Sequence, residues 1–337
     1  MTARQEPTRS NKERKTRLWS FFPSGRHRGD AVFKWIVLGA AGYTLLMLGL
    51  VAFSITDGSL SAFEKEGFFQ FFGGTDWNPV EGRESYGALP YIVGTMVSAG
   101  IAMAIGVPIS LGIAVFISEI APPRIGTPVA YIVEVLAAVP SIIYGLWALF
   151  VFRFWIAGYV ERPLYEALGP SLPFFAKTPI GLDVFTAGIV LAIMIIPIIS
   201  SIAREILKAV PNSQREAAYS LGATRWETMW KFVFPYAKAG LLGASILGLG
   251  RAVGETMLVT MVIGNAVGIS AIPDSLFDQS QTLSSVIANE FNEAVTEFHL
   301  SALIALAVVL LIITMVINIG AQLLVSRMIK VVPGDKE

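Results

Sequence analysis

The sequence predicts an all-α, polytopic membrane protein, and three observations carry that prediction. Of its 337 residues, 54% are hydrophobic and only 15% charged, and a mean hydropathy of +0.64 lies outside the range of soluble domains. Six apolar stretches reach the about 20 residues that a helix needs to cross a hydrocarbon core about 30 Å thick. No stretch shows the polar and apolar alternation of a membrane barrel, so helices, which satisfy their backbone groups internally, are the spanning elements.

In chain order, residues 1–34 carry nine Lys or Arg against Glu6, Glu13 and Asp30. This places the N-terminus in the cytoplasm and makes 1–31 a basic tail near anionic lipid, ahead of a six-helix transmembrane domain over 32–330. The first span, 32–55, lacks a clear signal-peptide cleavage site and is a retained helix. The connection 56–90 has six acids and only Lys65 and Arg83, so it reads as external, with Phe68, Phe69, Phe71, Phe72 and Trp77 as interface anchors. The second span is 91–118, bent at Pro108. The third is 129–155, kinked near its middle at Pro140, where Ser141 can bond the carbonyls that the kink frees; Glu134 lies nearer its inner end. The fourth is 184–203, with Pro197 inside it.

A cytoplasmic loop over 204–238 holds Arg204, Lys208, Arg215, Arg225, Lys231 and Lys238. Pro211-Asn212-Ser213-Gln214 reads as a helix start, 214–221 as a short helix broken by Gly222, and 223–232 as a second one. The fifth span is 239–263. The connection 264–298 has no Lys or Arg and reads as external, with His299 anchoring the start of the sixth span, 301–326. The C-terminus follows inside.

Composition also removes whole classes of chemistry. With no cysteine and two histidines, thiolate, iron–sulfur and zinc sites have little material. Equal numbers of basic and acidic residues, 25 of each, give no overall excess for nucleic acid. The G-x-x-x-x-G-K-[ST] phosphate loop is absent, so any nucleotide belongs to another subunit.

A charge at the bilayer centre costs about 2.5–3.5 kcal/mol even on insertion scales, which singles out Arg251 and Glu255 in Gly250-Arg251-Ala252-Val253-Gly254-Glu255-Thr256. Their i, i+4 spacing predicts one helix face, one turn apart. One reading is a locked packing pair beside the Gly250 and Gly254 seam. The other is a guanidinium fork facing a water-filled path for an oxyanion, with Glu255 competing for that fork so that the anion can leave.

Glu216-Ala217-Ala218, three residues, Gly222, nine residues and then Phe232-Val233-Phe234-Pro235 resembles the EAA loop of ABC importer permeases, with Phe at two positions that are usually aliphatic. Ala217 and Ala218 allow close helix approach, Gly222 the turn, and Glu216 and Arg225 polar contacts at the rim. Gly87-Ala88-Leu89-Pro90 with Gly94-Thr95, Val139-Pro140-Ser141-Ile142-Ile143-Tyr144-Gly145, and the Gly250 to Thr256 run extend the likeness over nearly the whole chain. Together they resemble the PstC-type permeases of phosphate-specific ABC importers.

That resemblance implies a type I importer permease fold in a bacterial inner membrane, pairing with a PstA-type permease, two PstB-type ATPase copies that hold ATP and Mg, and a PstS-type phosphate-binding protein. It places Arg251 and Glu255, with Thr256, on the phosphate path; Glu134, the third charged residue within a predicted span, and Ser141 are further path candidates, although no family motif carries Glu134. A permease for sulfate or molybdate would share the docking loop but not the Gly250 to Thr256 run. An ion-driven secondary transporter would show inverted repeats, and an intramembrane enzyme would need a base beside Ser141; the sequence displays neither.

Overall fold

The computed structural model describes residues 28–329; most of the basic tail, and Lys330 and Lys336 at the other end, lie outside them. Among the described residues, six helices are long and apolar enough to cross a membrane: Val32–Glu66, Leu89–Ile120, Ser141–Leu168, Val184–Lys208, Arg225–Gly254 and Glu297–Arg327. They are the first to sixth spans. The chain divides into two units, 1–53 and 54–337. The described part of the first unit is helical throughout, and the second holds every site discussed below.

The fourth span is the centre of the second unit, with more than half of its apolar window buried. It packs most extensively on the second span and next on the fifth. Missing side chains permit this approach: a Cβ on Gly188 would fall 2.6 Å from Ile101, and one on Gly248 would fall 2.6 Å from Ile199. Pro108 and Pro197 lie inside the second and fourth spans. Beside them Ser110 Oγ donates to Gly106 O at 2.6 Å and to Ile196 O at 3.2 Å across the pair, a hydroxyl staple where proline thins the backbone ladder.

The third predicted span is corrected. Pro140, extended at φ −59° and ψ 138°, separates two helices instead of kinking one. A linker helix, Pro123–Ala137, precedes it, and the membrane-length helix begins at Ser141. No hydrogen bond of Ser141 spans the break; Tyr144 Oη donates to Leu136 O at 3.0 Å instead. A proline flanked by Ser and Val can sit in mid-helix or begin a helix, and hydropathy does not separate the cases.

The end of the bundle carrying the 56–90 and 264–298 connections is built from aromatic and polar groups. A two-residue antiparallel pair joins Trp77–Asn78 to Ser85–Tyr86, and Phe71, Trp77, Tyr86 and Tyr91 are buried together, so Phe71 and Trp77 are core and not interface anchors. His299 is buried as well. Its Nε2 lies 3.0 Å from Glu290 Oε2, which also accepts from Trp77 Nε1 at 2.8 Å. The segment before Leu283–Glu290 folds inward: Ser280, Gln281 and Thr282 are buried, and Thr95 Oγ1 accepts from Leu283 N at 3.0 Å. A Cβ on Gly94 would collide with the Gln281 carbonyl and fall 2.6 Å from Ser280 Oγ, which explains the Gly94-Thr95 pair physically.

Asp183 opens the fourth span by accepting from Thr186 N at 2.8 Å, while Thr186 Oγ1 donates to Glu161 Oε1 at 2.6 Å. All three residues are fully buried. Burial first, then the Glu161 charge, pushes the Asp183 carboxyl from its ordinary 3.8 up to about 8.

Two predictions follow from these contacts. Gly94→Ala should destabilise the detergent-purified protein by about 1–3 kcal/mol through overpacking, whereas Gly100→Ala on the same helix, which meets nothing within 4 Å, should not lower its melting temperature. The native Asp183 binds its proton more tightly than the unfolded chain does. Its contribution is therefore complete below about pH 4 and is lost as pH rises through about 8. Asp183→Asn should flatten that decline in a melting series against pH, and an unchanged decline would assign it to other groups.

Candidate functional site

The fifth span ends in the middle of its motif. Its helix stops at Gly254, and Glu255 is extended at φ −70° and ψ 126°. A half-helix, Met257–Val262, then packs on the third span, close to Gly145, where a Cβ would fall 2.8 Å from Met261 Sδ. Arg251 and Glu255 are therefore not stacked on one helix, contrary to the spacing argument. Glu255 is 8% exposed, and its Oε1 accepts from Leu258 N at 3.4 Å at the head of the half-helix.

Breaking a helix inside a membrane strands backbone carbonyls that lipid cannot solvate, and hydroxyls take two of them at this break. Ser284 Oγ donates to Glu255 O at 3.0 Å, and Thr256 Oγ1 donates to Gly254 O at 3.4 Å. Ser284 escaped the sequence reading because its partner is a backbone atom 29 residues away, which no local pattern marks.

Arg251 itself is exposed and makes no ion pair or hydrogen bond among the described residues. It stands on an open strip of the fifth span. Leu247, one turn earlier, is 60% exposed, and a Cβ on Gly243, Gly250 or Gly254 would meet nothing within 4 Å. The adjoining face, Ala244, Gly248 and Ala252, is buried. The Gly250 and Gly254 seam thus faces open space among the described residues. Thr256 is half-buried beside the break.

The other candidates separate from this point. Glu134 is on the linker helix, not in the third span, and its Oε1 accepts from Arg204 Nη1 at 3.2 Å. Together with Tyr131 and Lys208 these residues line a cavity of about 430 Å³. Ser141 begins the third span.

In the 204–238 loop, the fourth span runs on to Lys208 and a single loop helix follows, Asn212–Ser220. Gly222 closes it at φ +81°, a left-handed residue just past a helix end. The second short helix of the sequence reading is the inner end of the fifth span. It is capped by Thr224 with Glu227 and continues through a π-helical turn, Met229–Val233. Ala218 is fully buried, while Glu216, Ala217, Gly222 and Arg225 are exposed. Tyr219, Arg225, Trp226 and Met229 border a hollow of about 230 Å³, and Leu221 beside it is 80% exposed. Such an exposed apolar group with a charged rim suits a protein partner.

A family profile described as "Binding-protein-dependent transport system inner membrane component" matches residues 106–330. The chain is 45% identical over 307 residues to the "Phosphate transport system permease protein PstC" of Pasteurella multocida (strain Pm70), covering 90% of this chain and 94% of that one. It is 44% identical over 314 residues to the protein of the same name from Xylella fastidiosa (strain Temecula1), covering 91% and 94%. Among solved structures, it resembles a chain of a bacterial alginate ABC transporter in complex with an alginate pentasaccharide-bound periplasmic protein. There the TM-score is 0.56 and the identity 15%, covering 88% of this chain and 96% of that one, which shows the fold.

Ser284→Ala should leave the Glu255 carbonyl without its hydroxyl and cost about 1–3 kcal/mol, read as a lower melting temperature, with Ser284→Thr restoring most of it. Equal melting of the alanine variant and the wild type would show that the break is satisfied by other means.

Proposed function

Since this chain belongs to the binding-protein-dependent inner-membrane permeases and, within them, to the PstC permeases, we propose that it forms half of the translocation path of an ATP-driven phosphate importer. It is a multi-pass membrane subunit of the transport machinery and not an enzyme. In this reading a PstA-type permease supplies the other half, two PstB-type ATPase copies bind ATP and Mg, and a PstS-type protein delivers phosphate from outside. Both termini and the loop helix are cytoplasmic, consistent with the basic residues of 1–34 and 204–238 and the lack of Lys or Arg in 264–298.

One observation carries the assignment of the path: an arginine within a membrane-length helix, unpaired among the described residues, on a glycine strip that this chain leaves open. Against lipid such a charge is costly. Against a partner helix across a water-filled gap it presents a planar fork of donors to an oxyanion. Glu255 and Thr256 hold the break just beyond it, and the Glu255 charge close in sequence limits how long an anion rests there. Glu134 with Arg204 stands at the inner end, and Ser141 heads the third span. Closure of the ATPase dimer moves the loop helix, with Glu216, Ala217, Ala218, Gly222 and Arg225 at the contact, and the bundle alternates its opening.

In proteoliposomes holding the assembled complex and binding protein, Arg251→Gln should abolish phosphate uptake while the ATPase still co-purifies, and Arg251→Lys, a point charge without the fork, should retain only part of it. Undiminished uptake by Arg251→Gln would reject the path. Competition by sulfate or molybdate as strong as by phosphate would move the substrate to another oxyanion.

A further inference from the structure

Arg215 has no place in the motif reading, yet it makes the densest set of polar contacts in the inner half of the molecule. Its Nη2 donates to Glu119 Oε1 at 2.7 Å and to Leu207 O at 2.9 Å, its Nη1 to Val210 O at 2.6 Å, and its Nε to Glu119 Oε2 at 3.3 Å. A longer contact of 3.4 Å reaches Asn212 Oδ1. The Arg215 and Glu119 side chains are only 16% and 18% exposed.

These bonds join three elements. Glu119 belongs to the π-helical turn Phe116–Ile120 that ends the second span. Leu207 is in the last turn of the fourth span and Val210 two residues past its end, where carbonyls run short of helical amides and a cation is favoured; Leu207 O also accepts from Val210 N at 3.3 Å. Arg215 itself is in the loop helix. The guanidinium thus fastens the loop helix to the second and fourth spans, the most extensively packed pair in the fold. Towards the fifth span the chain passes through Gly222, a left-handed joint whose Cβ would meet nothing within 4 Å, and the loop helix also packs directly on the first turns of that span, Arg225–Val233.

We infer that Arg215 and Glu119 are positioning residues for transport: they make the loop helix one rigid body with the inner ends of the second and fourth spans, so that displacement of the loop helix reaches those spans instead of being absorbed by the loop. The inference rests on the loop helix being the ATPase contact. A fork is needed for it, because a lysine can neutralise Glu119 but cannot also hold the carboxylate in two places and both carbonyls. The charge pair alone would only add stability, and a half-screened pair adds little of that.

The test uses the whole complex in proteoliposomes with binding protein, measuring phosphate uptake and ATP hydrolysis together. Arg215→Lys and Arg215→Ala should keep the ATPase bound and hydrolysing, while the ATP used per phosphate moved rises roughly tenfold, the scale of coupling changes of 0.5–2 kcal/mol. Adding Glu119→Ala to Arg215→Ala should change that ratio little further, as expected of two groups acting as one. A wild-type ratio in both Arg215 variants would overturn the inference, as would loss of the ATPase subunits from these variants, which would make the pair a docking contact. Failure of the wild-type chain to retain any ATPase would instead remove the reading of the loop beneath it.

Discussion

The constraint on which this molecule turns is the satisfaction of backbone polar groups where a membrane helix is interrupted. A continuous fifth span would need no help from its neighbours, since each carbonyl meets an amide one turn on. Ending it at Gly254 and restarting at Met257 leaves carbonyls that must be paired locally. Ser284 and Thr256 do that for the Glu255 and Gly254 carbonyls with hydrogen bonds of 3.0 and 3.4 Å, while Glu255 Oε1 accepts from the Leu258 amide at 3.4 Å. The in-folded segment before Leu283 is therefore part of the site, because it carries Ser284 to the break, and Gly94 and Thr95 are part of it too, because they let that segment approach the second span. Motifs far apart in sequence serve one small set of carbonyls.

A second consequence concerns what is left uncovered. The fourth span takes the central position because glycine at 188 and 248 admits isoleucine side chains from it or against it, and this close packing turns one side of the fifth span inward. The adjoining side, with Leu247, Arg251 and three open glycines, is left uncovered among the described residues. Burying Ala244, Gly248 and Ala252 while exposing an arginine on the same helix is a coherent arrangement only if that open side meets something other than lipid. The fold thus points to an assembly through the face it leaves unfinished, which is the face where the charge stands.

How much of this was legible in the sequence depends on whether the signal was local. Spans and their number follow from hydropathy, because that property is summed over many residues. The loop helix and Gly222 follow from a proline at the helix start and a left-handed turn, both set by a few neighbouring residues. The break at Glu255 did not, because Ala252, Val253 and Glu255 all tolerate helix and the interruption is stabilised by Ser284 from another segment. Pro140 failed in the opposite sense: the residue was noticed, but a proline marks a discontinuity without saying whether the chain bends or begins a new helix. Phe71, Trp77 and His299 were assigned to the interface on composition, and their burial comes from the hairpin and Glu290, which only the tertiary fold brings together.

The same logic links the two ends of the permease. Beside the break, polar side chains supply missing backbone partners; at the C-terminal end of the fourth span, Arg215 donates to Leu207 O and Val210 O while gripping Glu119. Neither set of bonds is needed to make a helix, and both fix the relation between helices. Where a helix bundle must change its opening without coming apart, the parts that move together require such cross-links and the parts that move against one another require their absence. The glycine strip beside Arg251 is a place where the described residues have none. A loop helix fastened by Arg215 to the second and fourth spans, and packed on the start of the fifth, is what would let a small displacement at the loop alter the surroundings of a single guanidinium.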